Sequence, residues 1–199
     1  MRIDRVQVVV ADAEDAAKRW AALTGAVAVR QDALRGVAAR RRVLALGESE
    51  VEILEPDGSG EAADFVAGTG GGLYAAGVAV ADVEATAARL EGAGVSVVRE
   101  GPQLLLSPES LGIPGLRLVI SPQAERSRRG LARFLYEVTL LCADAPAATA
   151  RFASLFGLDP RRFVPIRSAE FGYEGTLTLF APDRLDRIEI GRALRRDRA

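Results

Sequence analysis

The sequence predicts an α+β protein assembled from a repeated β-α-β-β-β module. Three observations carry this. The phrases Val10-Ala11-Asp12, Val80-Ala81-Asp82 and Cys142-Ala143-Asp144 recur, with their aspartates 70 and then 62 positions apart. Each follows a run of β-branched or aliphatic residues, and each precedes an alanine-rich amphipathic stretch with an arginine near its end (Arg19, Arg89, Arg151). Self-similarity at a regular interval constrains architecture before any single residue is interpreted.

The first module opens with the β-rich run Val6–Val10. Asp12 is the expected N-cap of a helix over Ala13–Leu23, with Gly25 as its stop. Ala16, Ala17, Trp20 and Leu23 recur at helical spacing and supply its buried face. Strands are expected over Ala26–Arg30, Gly36–Leu46 and Glu50–Leu54, before Pro56–Gly60 breaks the chain. The Gly68–Gly72 run has the look of a phosphate cradle, but a strand rather than a helix follows it, so it is read as a linker.

The second module repeats the order: a strand over Leu73–Val80, a helix over Val83–Gly92 capped by Asp82, and strands over Val95–Arg99, Gln103–Ser107 and Leu116–Ile120. The third has a strand over Leu135–Cys142, a helix over Ala145–Phe156, and strands over Phe163–Ile166, Thr176–Phe180 and Leu185–Ile190. The expected organisation is therefore a paired-module domain over 1–122, a linker over 123–133, a third, unpaired module over 134–191 and an arginine-rich tail over 192–199.

Composition narrows the function. A hydrophobic content of 49% with 27% charged residues is that of an ordinary soluble globular protein. A formal net charge of −1 gives no reason to expect nucleic acid or a membrane surface as partner. No apolar run approaches the roughly 18 residues of a membrane span, and the N-terminus lacks a signal-peptide core. The lone Cys142 forms no internal disulfide, which suits a reducing cytoplasm, and is read as a small buried hydrophobe. The chain has no histidine. That removes imidazole metal sites, catalytic triads and imidazole proton shuttles together.

A β-α-β-β-β module, repeated and paired into a half-open cup of mixed sheet, resembles the vicinal oxygen chelate superfamily of glyoxalase, bleomycin-resistance and epimerase proteins. The residues carrying the likeness are Ile3–Val6, Val10–Asp12, Val51–Pro56, Gly71–Tyr74, Val80–Glu84 and Gly115–Leu118. Over residues 2–122 the layout looks most like the methylmalonyl-CoA epimerase branch. The resemblance implies a metal ligand on the first and last strand of each module, at Arg5, Glu52, Ala75 and Leu118 here. Only Glu52 has a donor atom suited to a dication, and Arg5 brings a permanent cation. The metal site is therefore read as lost, and no cofactor is expected.

Strand alternation puts Ile3, Arg5 and Gln7 on the cup face and Val6, Val8 and Val10 against the helix. A buried arginine needs a partner, so an Arg5–Glu52 pair is expected. Arg5 either captures a ligand carboxylate or phosphate or simply fills the vacated metal position with Glu52. Leu73, Ala75, Gly77 and Ala79 line the second half of the cup and leave volume for a ligand, unless bulky side chains such as Leu118 and Ile120 fill it.

The expected ligand-binding residues are thus Arg5, Gln7, Glu52, Ala75, Gly77 and Leu118, with Glu52 the one catalytic candidate. In the third module the corresponding positions are Glu137 and Glu189. If two chains paired these modules about a twofold axis, four carboxylates would converge and a hard metal could bind. Otherwise they pair with arginines such as Arg187. An unpaired module exposes a sheet edge and an apolar face, and homodimerisation through residues 134–190 would cover both.

The leading functional reading is a metal-independent protein binding a small anionic or bulky organic ligand in the N-terminal cup. The alternatives are an isomerase, epimerase or lyase using Glu52 as base and Arg5 as anion stabiliser, and a non-catalytic dimerising module. Tyr74, Tyr136 and Tyr173 are possible proton donors whose simpler role is packing.

Overall fold

The aspartates of the recurring phrase are helix N-caps. In the computed structural model, which describes residues 1–181 and 184–194, the Asp12 carboxylate accepts from the N–H groups of Glu14 and Asp15, that of Asp82 from Ala85, and that of Asp144 from Ala147. Each satisfies donors that an open helix end leaves unpaired, worth about 1 kcal/mol per cap.

The elements are β1 (Arg2–Val9), α1 (Ala13–Thr24), β2 (Val27–Leu34), β3 (Ala39–Leu46), β4 (Ser49–Pro56), α2 (Glu61–Thr69), β5 (Gly72–Val80), α3 (Val83–Gly92), β6 (Val98–Glu100), β7 (Gln103–Leu106), α4 (Pro108–Leu111), β8 (Leu118–Pro122), β9 (Glu137–Leu141), α5 (Ala145–Phe156), β10 (Val164–Ser168), β11 (Tyr173–Ala181) and β12 (Asp186–Ala193). The α3 and α5 bounds match the sequence expectation. Two helices were not anticipated. Helix α2 follows the breaker at Pro56–Gly60 and takes in Gly68 and Thr69 of the run expected as linker, with Gly70 as its left-handed C-cap. Helix α4 is a single turn with Ser107 as cap and Pro108 in the first turn.

An eight-stranded sheet runs β2-β3-β4-β1-β5-β8-β7-β6. β1 is parallel to β4 and antiparallel to β5, and β5 is parallel to β8. Its two halves therefore join along β1 and β5, and the sheet curls into a half-barrel with α1 and α3 outside. The second sheet, β10-β11-β12-β9, repeats the order of each half. Among the described residues no strand lies beside β9 on the edge where β1 has β5.

Alternation divides the interior into three apolar clusters. Trp20, Ala16 and Ala17 of α1 cover Leu44, Val51 and Ile53. The concave side of the large sheet holds Val9, Leu34, Leu54, Ala75, Leu105 and Val119, against Ala62, Phe65 and Val66 of α2. The largest cluster joins α3 to α5: Val78, Leu90, Leu104 and Ile120 meet Leu140, Phe152, Leu155, Ile188 and Ile190. This last cluster corrects an expectation. The apolar face of the third unit is covered within the chain, because β9 and β12 turn Leu140, Ile188 and Ile190 towards α5, and α5 turns Phe152 and Leu155 towards the second unit.

Residues 123–133 lie along the first unit. Gly47 and Arg129 exchange backbone hydrogen bonds, and the Leu131 N–H donates to the Thr24 carbonyl at 2.8 Å. Arg192 and Ala193, expected in a tail, belong to β12; residues 195–199 lie outside the described residues. Cys142 is only half-buried, at the margin of the largest cluster. No described helix is long and apolar enough to cross a membrane.

Since Phe152 is fully buried where α5 meets the second unit, Phe152→Ala is expected to cost about 3–5 kcal/mol. Urea unfolding followed by Trp20 fluorescence, a reporter in the first unit, should register that loss in one cooperative transition.

Candidate functional site

The centre of the cup is an ionic network. Arg5 and Gln7 project into it from β1, Glu50 and Glu52 from β4, Arg41 from β3 and Gln103 from β7. The pairing of β1 with β5 shifts register between Ile3 and Arg5. Ile3, expected on the cup face, consequently packs into the helix-side core, and Asp4 joins the charged group.

Glu52 is 0% exposed. Its Oε1 accepts from Arg5 Nη1 at 2.6 Å and Gln103 Nε2 at 3.3 Å, and its Oε2 from Gln7 Nε2 at 2.7 Å and Arg41 Nη1 at 3.3 Å. Arg5, 4% exposed, also places Nη1 3.0 Å from Glu50 and donates from Nε and Nη2 to Asp4 at 3.2 and 2.8 Å. Arg41 forks onto Asp32 at 2.7 and 2.9 Å. Arg126, from the segment after β8, reaches Asp4 at 3.1 Å and Glu50 at 3.4 Å. Burial alone would raise the Glu52 carboxyl, yet the Arg5 and Arg41 charges and the Gln7 hydrogen bond hold it below its ordinary value.

The volume expected above Ala75 and Gly77 is taken. A methyl group added at Gly77 would overlap Cγ of Arg5, so the glycine is what lets the Arg5 stem cross β5. Ala75 packs against the apolar concave cluster. Leu118 was placed one residue out of phase. Its side chain joins the helix-side core with Ile120, and Val119 is the residue of β8 that faces the cup. Of the six expected ligand-binding residues, then, the cup brings together Arg5, Gln7, Glu52, Ala75 and Gly77, while Leu118 packs into the helix-side core and only borders the hollow at the cup mouth.

The sequence profile of the Glyoxalase/Bleomycin resistance protein/Dioxygenase superfamily matches residues 4–105, just over half of the chain. The chain belongs to this superfamily. Its fold is similar to methylmalonyl-CoA epimerase from Mycobacterium tuberculosis, with a TM-score of 0.54 at 22% identity over 62% of this chain and 89% of that one. It is also similar to a Streptomyces coelicolor methylmalonyl-CoA epimerase variant in complex with 2-nitronate-propionyl-CoA, with a TM-score of 0.53 at 22% identity over 62% and 99% of the two chains. A hypothetical protein from Bacillus halodurans aligns at 19% identity with a TM-score of 0.52, over 63% and 96%. No curated protein sequence is similar enough to count as a match.

The residues present do not fit the divalent metal that metal-dependent members of the superfamily would hold here. A guanidinium stands at one ligand position, and Ala75 and Val119 bring no donor atoms. The oxygens of Glu52 are engaged by four N–H donors. Among the described residues no group of three or more potential ligands is arranged to hold a metal ion. Glu52 is equally ill placed as a general base, which must reach the proton it removes.

In the second sheet, Glu137 and Glu189 sit beside their own arginine. Arg187 pairs with Glu137 and lies 3.4 Å from Glu189, which also accepts from the Tyr173 hydroxyl at 2.6 Å. That hydrogen bond pushes the Tyr173 phenol up to about 12.

Tyr74 is the residue that sequence reasoning undervalued. It is 6% exposed, and its hydroxyl has no hydrogen-bond partner. It borders a hollow of about 50 Å³ at the cup mouth, whose lining includes Gln7, Glu61, Ala75, Ser107, Arg117 and Leu118. The ring stands edge-on to Phe65 at 5.1 Å, and the Arg117 guanidinium lies 4.7 Å from its centroid. Arg117 Nε donates to Glu61 at 2.9 Å. The sequence signal was hidden because Phe65 and Glu61 come from the unanticipated α2. A larger cleft of about 950 Å³ lies between α5 and β10–β11, lined mainly by Ala, Pro and Thr side chains.

Two outcomes follow for the network. Arg5→Ala strands Asp4, Glu50 and Glu52 without their shared cation and should cost about 3–5 kcal/mol in chemical denaturation, and Gly77→Ala should destabilise by about 1–3 kcal/mol or more. Because the folded-state pKa of Glu52 is depressed below 4.5, its stabilising contribution is present above that pH and lost as pH falls through the folded value. Glu52→Gln, less stable at neutral pH, should therefore lose less stability than the wild type on acidification, as read by unfolding at a series of pH values.

Proposed function

We propose that this superfamily member is a metal-independent binding protein that takes a small organic ligand at the mouth of the N-terminal cup and performs no chemistry on it. The observation that supports this above all is the condition of Glu52: fully buried, with both oxygens committed, it has no lone pair to offer a metal or a substrate proton. An isomerase or lyase would need an accessible carboxylate here, and Arg5 is too heavily engaged by three carboxylates to serve as the anion receptor. Gln7, Ala75 and Leu118 border the open hollow and are the expected residues best placed for contact. That the epimerase neighbour is held with 2-nitronate-propionyl-CoA supports a small organic molecule as the ligand class.

The proposal includes a homodimer through β9. The ground for it is the strand edge: β9 occupies in its sheet the place that β1 occupies beside β5, and Tyr136 and Leu141 are exposed there. The lone half-buried cysteine suits a reducing cytoplasm.

Native mass spectrometry of the purified protein tests both parts. Two copies without stoichiometric divalent metal are expected. Thr139→Pro, which places a proline in the middle of the β9 edge, should give a folded monomer. A stoichiometric metal that Glu52→Gln abolishes would overturn the metal-independent reading.

A further inference from the structure

We propose that the hollow at the cup mouth is a carboxylate-recognition site, with the Tyr74 hydroxyl and the two Nη groups of Arg117 as its donors. This rests on the reading that the cup binds an organic ligand, and it names the group by which the ligand is held.

Three features of the site point the same way. The Tyr74 hydroxyl is buried and unpartnered, a condition folded proteins avoid because the group gives up its hydrogen bonds to water for nothing in return. Here it borders a hollow rather than packed side chains. Burial, the proximity of the Glu61 carboxylate and its charge keep the phenol in its protonated form, so it meets a ligand as a donor.

Arg117 supplies the second donor. Its Nε is committed to Glu61, and among the described residues neither Nη has an acceptor. The guanidinium is fixed by its place over the rings of Tyr74, at 4.7 Å, and Phe65, at 5.7 Å. A fixed planar donor pair beside a phenol suits a carboxylate, which accepts two parallel N–H bonds and has a further lone pair for the hydroxyl. Glu61 borders the same hollow and takes up part of the Arg117 charge; its carboxylate is partly exposed, so water screens part of its field, and the two Nη groups are the donors it leaves for a second carboxylate.

Size sets the rest. About 50 Å³ admits one or two groups the size of a water molecule, whose share of liquid volume is about 30 Å³. Only the tip of a ligand enters, while its body rests outside, beside the exposed Val98.

Benzoate and its neutral counterpart benzamide are the probes, titrated by heteronuclear NMR into the wild type, Tyr74→Phe and Arg117→Gln. The expected result is that millimolar benzoate shifts resonances around the hollow, that each substitution weakens binding about tenfold, and that benzamide binds poorly throughout. Ligand-free Tyr74→Phe should keep or raise the melting temperature, because the ring contact with Phe65 survives and an unpaired hydroxyl is removed. A lowered melting temperature would mean the hydroxyl already has a partner, an internal water included, and would overturn the assignment. So would benzoate binding equally to all three proteins, or to none. If an organic acid co-purifies, or binds the cup regardless of Tyr74 and Arg117, the carboxylate site fails while the binding function stands. If native mass spectrometry and a ligand screen find no organic ligand at all, the binding function fails as well.

Discussion

Arg5 and Glu52 meet at 2.6 Å in a region that water does not reach, and the rest of the cup is arranged around that contact. Burying two ions sacrifices their hydration, and attraction between them offsets the loss only when every remaining donor and lone pair is also satisfied. That condition recruits the neighbours. Gln7, Arg41 and Gln103 complete the coordination of Glu52; Asp4 and Glu50 complete that of Arg5; Asp32, Ser121 and Arg126 complete the outer rank. The network spans β1, β2, β3, β4, β7 and β8, so it also fixes how the two halves of the large sheet sit against each other. Gly77 belongs to the same arrangement, since only a residue without Cβ lets the Arg5 stem pass over β5.

What was legible in the sequence follows from how local each signal is. Helix caps are local, and Asp12, Asp82 and Asp144 announce three helices, two of which begin and end where the sequence places them. Alternation along β4 is local too, and it put Glu52 on the cup face. The failures arise where partner strands decide. The register shift opposite β5 moved Ile3 out of the cup and drew Asp4 in, and no pattern within β1 encodes that. The phase of β8 determines whether Leu118 or Val119 faces inward, and two adjacent aliphatic residues carry no polarity contrast to reveal it. Helix α2 is a different case. Ala62, Phe65 and Val66 are spaced as one apolar face of a helix, but glycines at both ends read more strongly as linker.

The third unit shows how one local pattern can serve a different packing. Its helix has the same cap and the same alternation beneath it as the others, yet it is bound into the chain through α3 and α5 rather than by strand pairing. Its cup face keeps a smaller version of the central motif, with Arg187 between Glu137 and Glu189 and Tyr173 completing the latter. The first sheet buries its motif; the second leaves its own half-open at a free edge. The difference lies in pairing: β1 is paired on both sides, by β4 and β5, whereas β9, among the described residues, is paired only with β12.

Replacing a dication by guanidinium groups changes where a ligand can be engaged. A metal with an open position invites a ligand to the floor of a cup, because the ion can exchange a water for a ligand oxygen. A guanidinium whose donors are all committed cannot do this, and its long stem fills the space the ligand would need. Under the proposed binding function, recognition moves outward, to a place along the concave surface where polar groups remain unspent. In this chain that place is where α2 meets β5 and β8: Tyr74 has a hydroxyl without a partner, and Arg117 has donors beyond the one Glu61 occupies. The closed floor of the cup is a consequence of the buried charge pair: the Arg5 stem and the partners of Glu52 fill the space that a ligand at the centre would need.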